Sequence, residues 1–321
     1  MDGIVVIDKP QGMTSHDVVS FLRRKTGVRR IGHSGTLDPM ATGVLPVFIG
    51  KATRLIEYAG APGSPEAKLY RCDIKFGLET DTQDIWGARI EGRDGGSLPR
   101  GPEIERALKS FEGPGLQRPP MYSAVKVGGR KLYDYARKGD AIDESLVKER
   151  EIYIKRIEVK QVDEAAGEAA FEALCSKGVY IRALCADAGR LLGCGAVMSG
   201  LRRLSSDGFS IGDAVPLDDL RGEGAPMPPL LPMDGPLAWM RRVDLSESGS
   251  RAFAQGRTVA EEDRNPGRGE ATPEEASHPG RGEATRGLVR VYGPGGFLGV
   301  GSAPEGAPSR IDAIKPVKVL V

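Results

Sequence analysis

The sequence predicts an α+β protein in two parts. Apolar β-branched or alternating runs such as "GIVVID" and "KLYRCDIKFG" read as strands, while the 3.6-residue apolar period of "VYIRALCADAGRLLG" reads as a helix. A Pro/Gly-rich tract, "GEGAPMPPLLPMDGP" (Gly222–Pro236), separates a large N-terminal part from a small module made mostly of strands. At 321 residues the chain has room for one large domain and one small one.

The elements follow in order. "GIVVID" is a strand ended by Lys9-Pro10. Thr14 or Ser15 caps the next helix, where Val18, Val19 and Leu22 form the apolar stripe and Gly27 stops it. A loop, "GHSGTLDPMATGVLP", leads into the strand "GVLPVFIG", whose internal Pro46 predicts an edge or a bulge. "KATRLIEYAG" reads as a short helix and "KLYRCDIKFG" as a half-buried strand. "PEIERALKSFEG" opens with proline and first-turn acids, as a helix start favours. "GLQRPPMYSAVKVGGRKLYDYARKGDAID" predicts a strand, a tight turn and a projecting basic helix. "EIYIKRIEVKQVD" and "AAFEALCSKG" look like paired strands, and the helix that follows turns Ile181, Leu184 and Ala188 inward before Gly193 ends it.

Composition narrows the class. A 40% hydrophobic content supplies a core and 28% charge suits a soluble chain, with no apolar run long enough to span a bilayer. The start "MDGIVVIDKP" carries an acid where a secretory leader is basic, which predicts a cytoplasmic protein. The four cysteines lack any C-x-x-C pair and read as reduced, mostly buried thiols, with no metal site. Net charge is only +1, but residues 261–286 carry −3, which leaves +4 on the remainder. Basic clusters at Arg23–Arg30 and Lys126–Gly139 permit phosphate contact. The direct repeat "PGRGEAT" (Pro266–Thr272 and Pro279–Thr285) is too polar to order itself by burial and reads as a surface-loop insertion.

The loop around Asp38 carries the chemistry. An Asp-Pro pair ordinarily starts a turn. Here Gly32 and Gly35 bracket His33, and Thr36 and Thr42 can orient a carboxylate. There is no second acid or metal-type spacing nearby, so paired-carboxylate and metal chemistry lack their partners. A lone acid on a rigid loop suits nucleophilic work when a cation from elsewhere pairs with it. The local residues narrow the role without identifying the reaction.

"GHSGTLDPMATGVLP" followed by "GKATRL" resembles the catalytic motif of the bacterial tRNA pseudouridine synthase B (tRNA pseudouridine-55 synthase) family. "DKPQGMTSHDVV", "KLYRCDIKFGLETDTQD", "PPMYSAVKVGGRKLYDYARKG", "CSKGVYIRALCADAG" and "LRRLSSDGF" resemble further family blocks, in family order over roughly residues 3–215. The resemblance implies a catalytic domain over residues 1–235, built on a mixed, mainly antiparallel sheet with flanking helices. It also implies an RNA-clasping insertion at about 115–145. A small PUA-like RNA-binding β-barrel would follow over 236–321, interrupted by a low-complexity insertion at about 261–287.

The implied activity is isomerisation of uridine 55 in the T arm of tRNA to pseudouridine, with the T stem-loop as partner. No cofactor or metal is implied, and the chain is expected to act as a monomer. Asp38 would attack the flipped uridine at C1′ or C6. Arg182 would pair with the aspartate and supply the missing cation. Tyr70 would stack on the base and help remove the C5 proton, and His33 would fill the stack the nucleotide vacates. Tyr180 and Leu201 match pocket residues, Lys9 a structural lysine, and Asp81 the acidic loop near the substrate. The alternative is an RNA-binding, tRNA-folding chaperone whose role is partly independent of catalysis.

Overall fold

A computed structural model of the chain describes residues 1–60, 68–91, 97–140, 142–222, 224–265, 287–303 and 313–321. Both copies of the "PGRGEAT" repeat lie outside the described residues.

The chain opens with β1 (Gly3–Lys9), α1 (Ser15–Thr26), β2 (Ile31–His33) and β3 (Thr42–Ile49), then a tight 3-10 helix over Gly50–Tyr58. Next come β4 (Lys68–Phe76), α2 (Gly101–Lys109), β5 (Gly113–Gln117), the hairpin β6 (Lys126–Val127) and β7 (Arg130–Lys131), and α3 (Leu132–Lys138). β8 (Arg150–Asp163), β9 (Glu168–Cys175), α4 (Ile181–Leu191), β10 (Ala196–Ser206), β11 (Phe209–Ser210) and β12 (Val215–Pro216) complete the large part. The small part holds β13 (Arg241–Asp244), α5 (Glu247–Ala254), β14 (Val259–Ala260), β15 (Leu288–Gly293), β16 (Gly296–Ser302) and β17 (Ala313–Val319).

Among the described residues the large part is one ten-stranded sheet in the order β12-β1-β3-β10-β4-β9-β8-β5, with β11 on β10 and β2 on β3. All its pairings are antiparallel except β1–β12 and β3–β10, so the sheet is mixed but mainly antiparallel. Alternation along β4 buries Tyr70, Cys72, Ile74 and Phe76 on the face covered by α2 and α4. α1 covers β1 and β3 on one side through Val18, Val19 and Leu22, and the other side of those strands is also buried. All four cysteines are free and buried.

Helix ends follow local chemistry. Thr14 caps α1 in a reciprocal capping box with Asp17, and Gly27, at φ 71°, ends it. Gly193, also left-handed, follows the last turn of α4. Pro46 departs from expectation, because β3 is an interior strand and not an edge. On one side β3 pairs with β1 throughout, while on the other it meets β10 at Thr42–Gly43 and β2 at Val47–Ile49. Pro46 falls in the gap between those two partners, where a missing N–H removes no ladder bond; its carbonyl accepts from Ser34 N at 3.2 Å.

Among the described residues the small part is a separate five-stranded sheet, in the order β13-β15-β16-β17-β14, curled as a half-barrel consistent with a PUA-like domain and packed on α5. It docks onto the large part through Leu55 and Tyr58 of the 3-10 helix, which share a cluster with Leu237, Met240, Val300 and Leu320. Arg54 donates to Val319 O at 2.6 Å and Lys318 pairs with Glu57 at 2.6 Å. No helix of the described residues is long and apolar enough to cross a membrane.

Candidate active site

Asp38 lies on the loop between β2 and β3, and the N-terminal segment holds that loop in shape. Because Thr14 serves as the cap of α1, the Ser15 hydroxyl is available elsewhere. It accepts from Leu37 N at 2.8 Å and donates to Leu37 O at 3.1 Å. Gly12 N donates to Pro39 O at 2.8 Å, and Ala41 N closes a turn on Asp38 O at 3.1 Å. Lys9 is wholly buried, with Nζ donating to the carbonyls of Pro10 (2.9 Å), Met13 (2.6 Å) and Pro39 (3.4 Å). Burial pushes its ammonium down to about 8, against the attraction of Asp38. The Asp-Pro pair does start a turn, and that turn leaves the acid accessible.

Arg182 comes from the first turn of α4, where a cation opposes the helix dipole and needs another reason to be present. Its Nε donates to Asp38 Oδ2 at 2.9 Å, Nη1 to Thr82 O at 3.0 Å and Nη2 to Tyr122 O at 2.9 Å. The arginine side chain is only 4% exposed, whereas Asp38 is 35% exposed. One planar guanidinium thus fixes the carboxylate's rotamer while anchoring two flanking segments. Solvent, or a substrate, reaches the acid and not the cation.

The other expected residues surround this pair to different degrees. Tyr70 is buried in the cluster that contains Leu37 and Ala41, the apolar residues flanking Asp38. Burial pushes its phenol above the ordinary value, and the neighbouring Arg203 pulls it back. Leu201, half-buried on β10 opposite Cys72 of β4, packs against the same cluster. Tyr180 precedes α4 and is held by Gln117, whose amide donates to Tyr180 O at 3.0 Å and accepts from Tyr180 N at 2.8 Å. His33 ends β2 with a buried Nδ1 that has no partner; burial, with help from the Arg203, His16 and Lys68 charges, pushes it down to about 4.

Asp81 is exposed, and its Oδ1 accepts from Ala88 N at 2.7 Å, bracing a turn. The acid of this segment that lies beside the pair is Asp84. It is 1% exposed, accepts from Thr82 Oγ1 at 2.9 Å and Trp86 N at 3.1 Å, and leaves Oδ2 unpaired. Burial raises its pKa, while the hydrogen bond from Thr82 and the charge of Arg182 oppose the rise. The sequence reading passed over Asp84 and also Arg203, a fully buried arginine on β10. No local signal marked the first, because the apolar Ile85-Trp86 pair beside Asp84 is itself exposed. Arg203 had only the doubled arginine of "LRRL". Among the described residues no three His, Cys, Asp or Glu side chains converge as a metal site would require.

Residues 23–181 match the TruB family pseudouridylate synthase N-terminal domain, and residues 182–237 match the tRNA pseudouridylate synthase B C-terminal domain. A tRNA pseudouridine synthase B from Alkaliphilus oremlandii is 42% identical over 259 residues, 81% of this chain and 83% of that protein. The protein of the same name from Clostridium tetani is 35% identical over 321 residues, covering both chains completely. Among solved structures, one titled as a crystal structure of a Cbf5-Nop10-Gar1 complex superposes with a TM-score of 0.69 at 25% identity, over 99% of this chain and 85% of that one. The chain belongs to the TruB family and is a pseudouridine synthase.

Proposed function

We propose that this protein converts uridine 55 of the tRNA T arm to pseudouridine, with Asp38 as nucleophile. The observation that carries the reading is the Arg182–Asp38 pair at 2.9 Å, with the cation buried and the acid accessible. Relatives bearing the name tRNA pseudouridine synthase B support the choice of tRNA.

A uridine inside a folded loop is unreachable, so it must leave its stack first. His33, neutral because burial disfavours its charge, offers a flat surface for the vacated stack. Asp38 then attacks at C1′ or C6 and the N1–C1′ bond breaks. The uracil turns within the pocket formed by Tyr70, Tyr180 and Leu201, a C5–C1′ bond forms, and the bond from Asp38 to the substrate breaks to release the free carboxylate. Tyr70 receives the C5 proton, and a proton ends on N1, so the sum is an isomerisation.

Lys9 acts on the loop backbone, and Asp81 keeps the acidic turn in shape near the RNA. The basic hairpin and α3, within the insertion at about 115–145, grip the T stem-loop; Arg130 stacks on Tyr135 at 4.2 Å and Arg137 on Tyr133 at 5.3 Å. Residues 1–235 form the catalytic domain and 236–321 the RNA-binding PUA-like domain of a cytoplasmic monomer.

The test is Asp38→Asn, assayed on a T-arm transcript for pseudouridine formation and for binding. Loss of all modification with binding retained is the expected result. Modification that survives the change would sink the assignment of Asp38. A tRNA-folding role separate from the chemistry would persist in the same variant.

A further inference from the structure

Arg203 is among the largest wholly buried side chains, and an arginine is buried at such cost only when it is paired or used. Its Nε donates to Val44 O at 2.7 Å and its Nη2 to Gly35 O at 2.9 Å. Those two carbonyls bracket the loop that presents Asp38. Through its backbone, Arg203 pairs with Gly43 of β3 on one side and with Tyr70 of β4 on the other. The approach is so close that a Cβ on Gly43, at φ 101°, would sit 2.2 Å from Arg203 O. The third nitrogen, Nη1, is buried with no hydrogen-bond partner.

We propose that Arg203 is a positioning residue of the reaction: it clamps both ends of the Asp38 loop to the strand carrying Tyr70 and directs a donor at the tyrosine oxygen. This rests on the reading of Tyr70 as proton acceptor. In that step the C5–H electron pair returns to the uracil ring and the proton passes to the Tyr70 oxygen. The phenol can accept that proton only by giving up its own, so negative charge develops on the oxygen, which a buried guanidinium stabilises. The other groups within reach of the Arg203 charge are Lys68 on β4, His33 at the end of β2 and Lys9 at the end of β1. Cys175 on β9 and Asp207, in the turn after β10, bear on Tyr70 itself. Asp207 is buried and accepts from Ser34 Oγ at 2.6 Å and Ser206 Oγ at 3.0 Å.

The full chain carrying 3,5-difluorotyrosine at position 70 reports the phenol's ionisation directly by fluorine NMR as pH is raised. Arg203→Gln removes the cation but keeps an amide donor for the loop carbonyls, and Asp207→Asn removes the opposing acid. The glutamine variant should raise the phenol midpoint by about one pH unit or more and slow single-turnover modification roughly a hundredfold. The asparagine variant should move the midpoint the opposite way. It keeps an acceptor for both serines and suits the left-handed backbone of Asp207 (φ 55°), so it is the control of opposite sign; Arg203→Met, which keeps the side chain's length without its charge, decides the matter should Arg203→Gln not fold. Midpoints that do not move in the folded variants overturn the role of Arg203 and leave the Tyr70 reading intact. Midpoints that move while the rate ignores the phenol's ionisation overturn the Tyr70 reading, and the catalytic role of Arg203 with it.

Discussion

Arg182→Lys isolates geometry from charge at the centre of the site. The guanidinium sends three bonds in three directions, to Asp38, to Thr82 O and to Tyr122 O, all within 3.0 Å. A lysine ammonium on a flexible stem can replace one of them. Each hydrogen bond to a charged group contributes about 1.5–3 kcal/mol, so the two lost bonds cost about 3–6 kcal/mol. The share that fixes the Asp38 rotamer is one bond, and at 1.36 kcal/mol per decade its loss slows the chemical step roughly ten- to 150-fold. Because Arg182 is only 4% exposed, binding of tRNA should change less than about threefold, in keeping with a group that mostly misses the RNA. The assay is single-turnover release of tritium from C5-labelled uridine in a tRNA transcript, with a parallel binding titration. A lysine variant within about threefold of the wild-type rate would refute the argument that the planar fork orients the nucleophile. So would a variant whose loss lay wholly in binding.

Two further predictions concern the neighbours of that pair. His33 has a folded pKa, about 4, below its ordinary 6.5; its contribution to stability is complete above pH 6.5 and is withdrawn as pH falls towards 4. His33→Phe should therefore flatten the decline in that window, removing about 2 kcal/mol of pH-dependent stability as read by urea unfolding at pH 7 and pH 4.5. An unchanged decline would mean that the imidazole titrates normally. Asp84→Ala removes the acceptor of Thr82 Oγ1 and Trp86 N, and so loosens the carbonyl that Arg182 Nη1 binds. Turnover should fall about tenfold or more, whereas Asp84→Asn, which keeps an acceptor at Oδ1, should lose less. Equal losses in the two variants would point to the charge of Asp84 and not to its hydrogen bonds.

Much of the fold is legible locally. The capping box at Thr14–Asp17, the left-handed stops at Gly27 and Gly193 and the alternation of β4 each depend on residues within one or two turns of each other. Pro46 shows the limit of such reading. A proline in a strand says that one N–H is dispensable, and whether an edge or a gap between two partners makes it so depends on β2 and β10, which the strand does not encode.

The site divides in the same way. The loop's glycines, its Asp-Pro turn and the residue types around Asp38 are written in the chain and, through family resemblance, named the reaction. Which groups meet Asp38 was decided by packing. Arg182 is 144 positions away and arrives because α4 lies across β10 and β4. In "ETDTQD" the sequence offers Asp81 and Asp84 as similar acids; burial separates them, leaving one to brace an exposed turn and the other beside the Arg182–Asp38 pair. "LRRL" likewise holds two arginines on successive strand residues, whose side chains must leave on opposite faces. Arg202 pairs with Asp8 and is 39% exposed, while Arg203 turns inward to the Asp38 loop. Short-range geometry is set by neighbours in sequence, but the desolvation that leaves one charge at the surface and holds another beside Asp38 exists only once the sheet has closed over it.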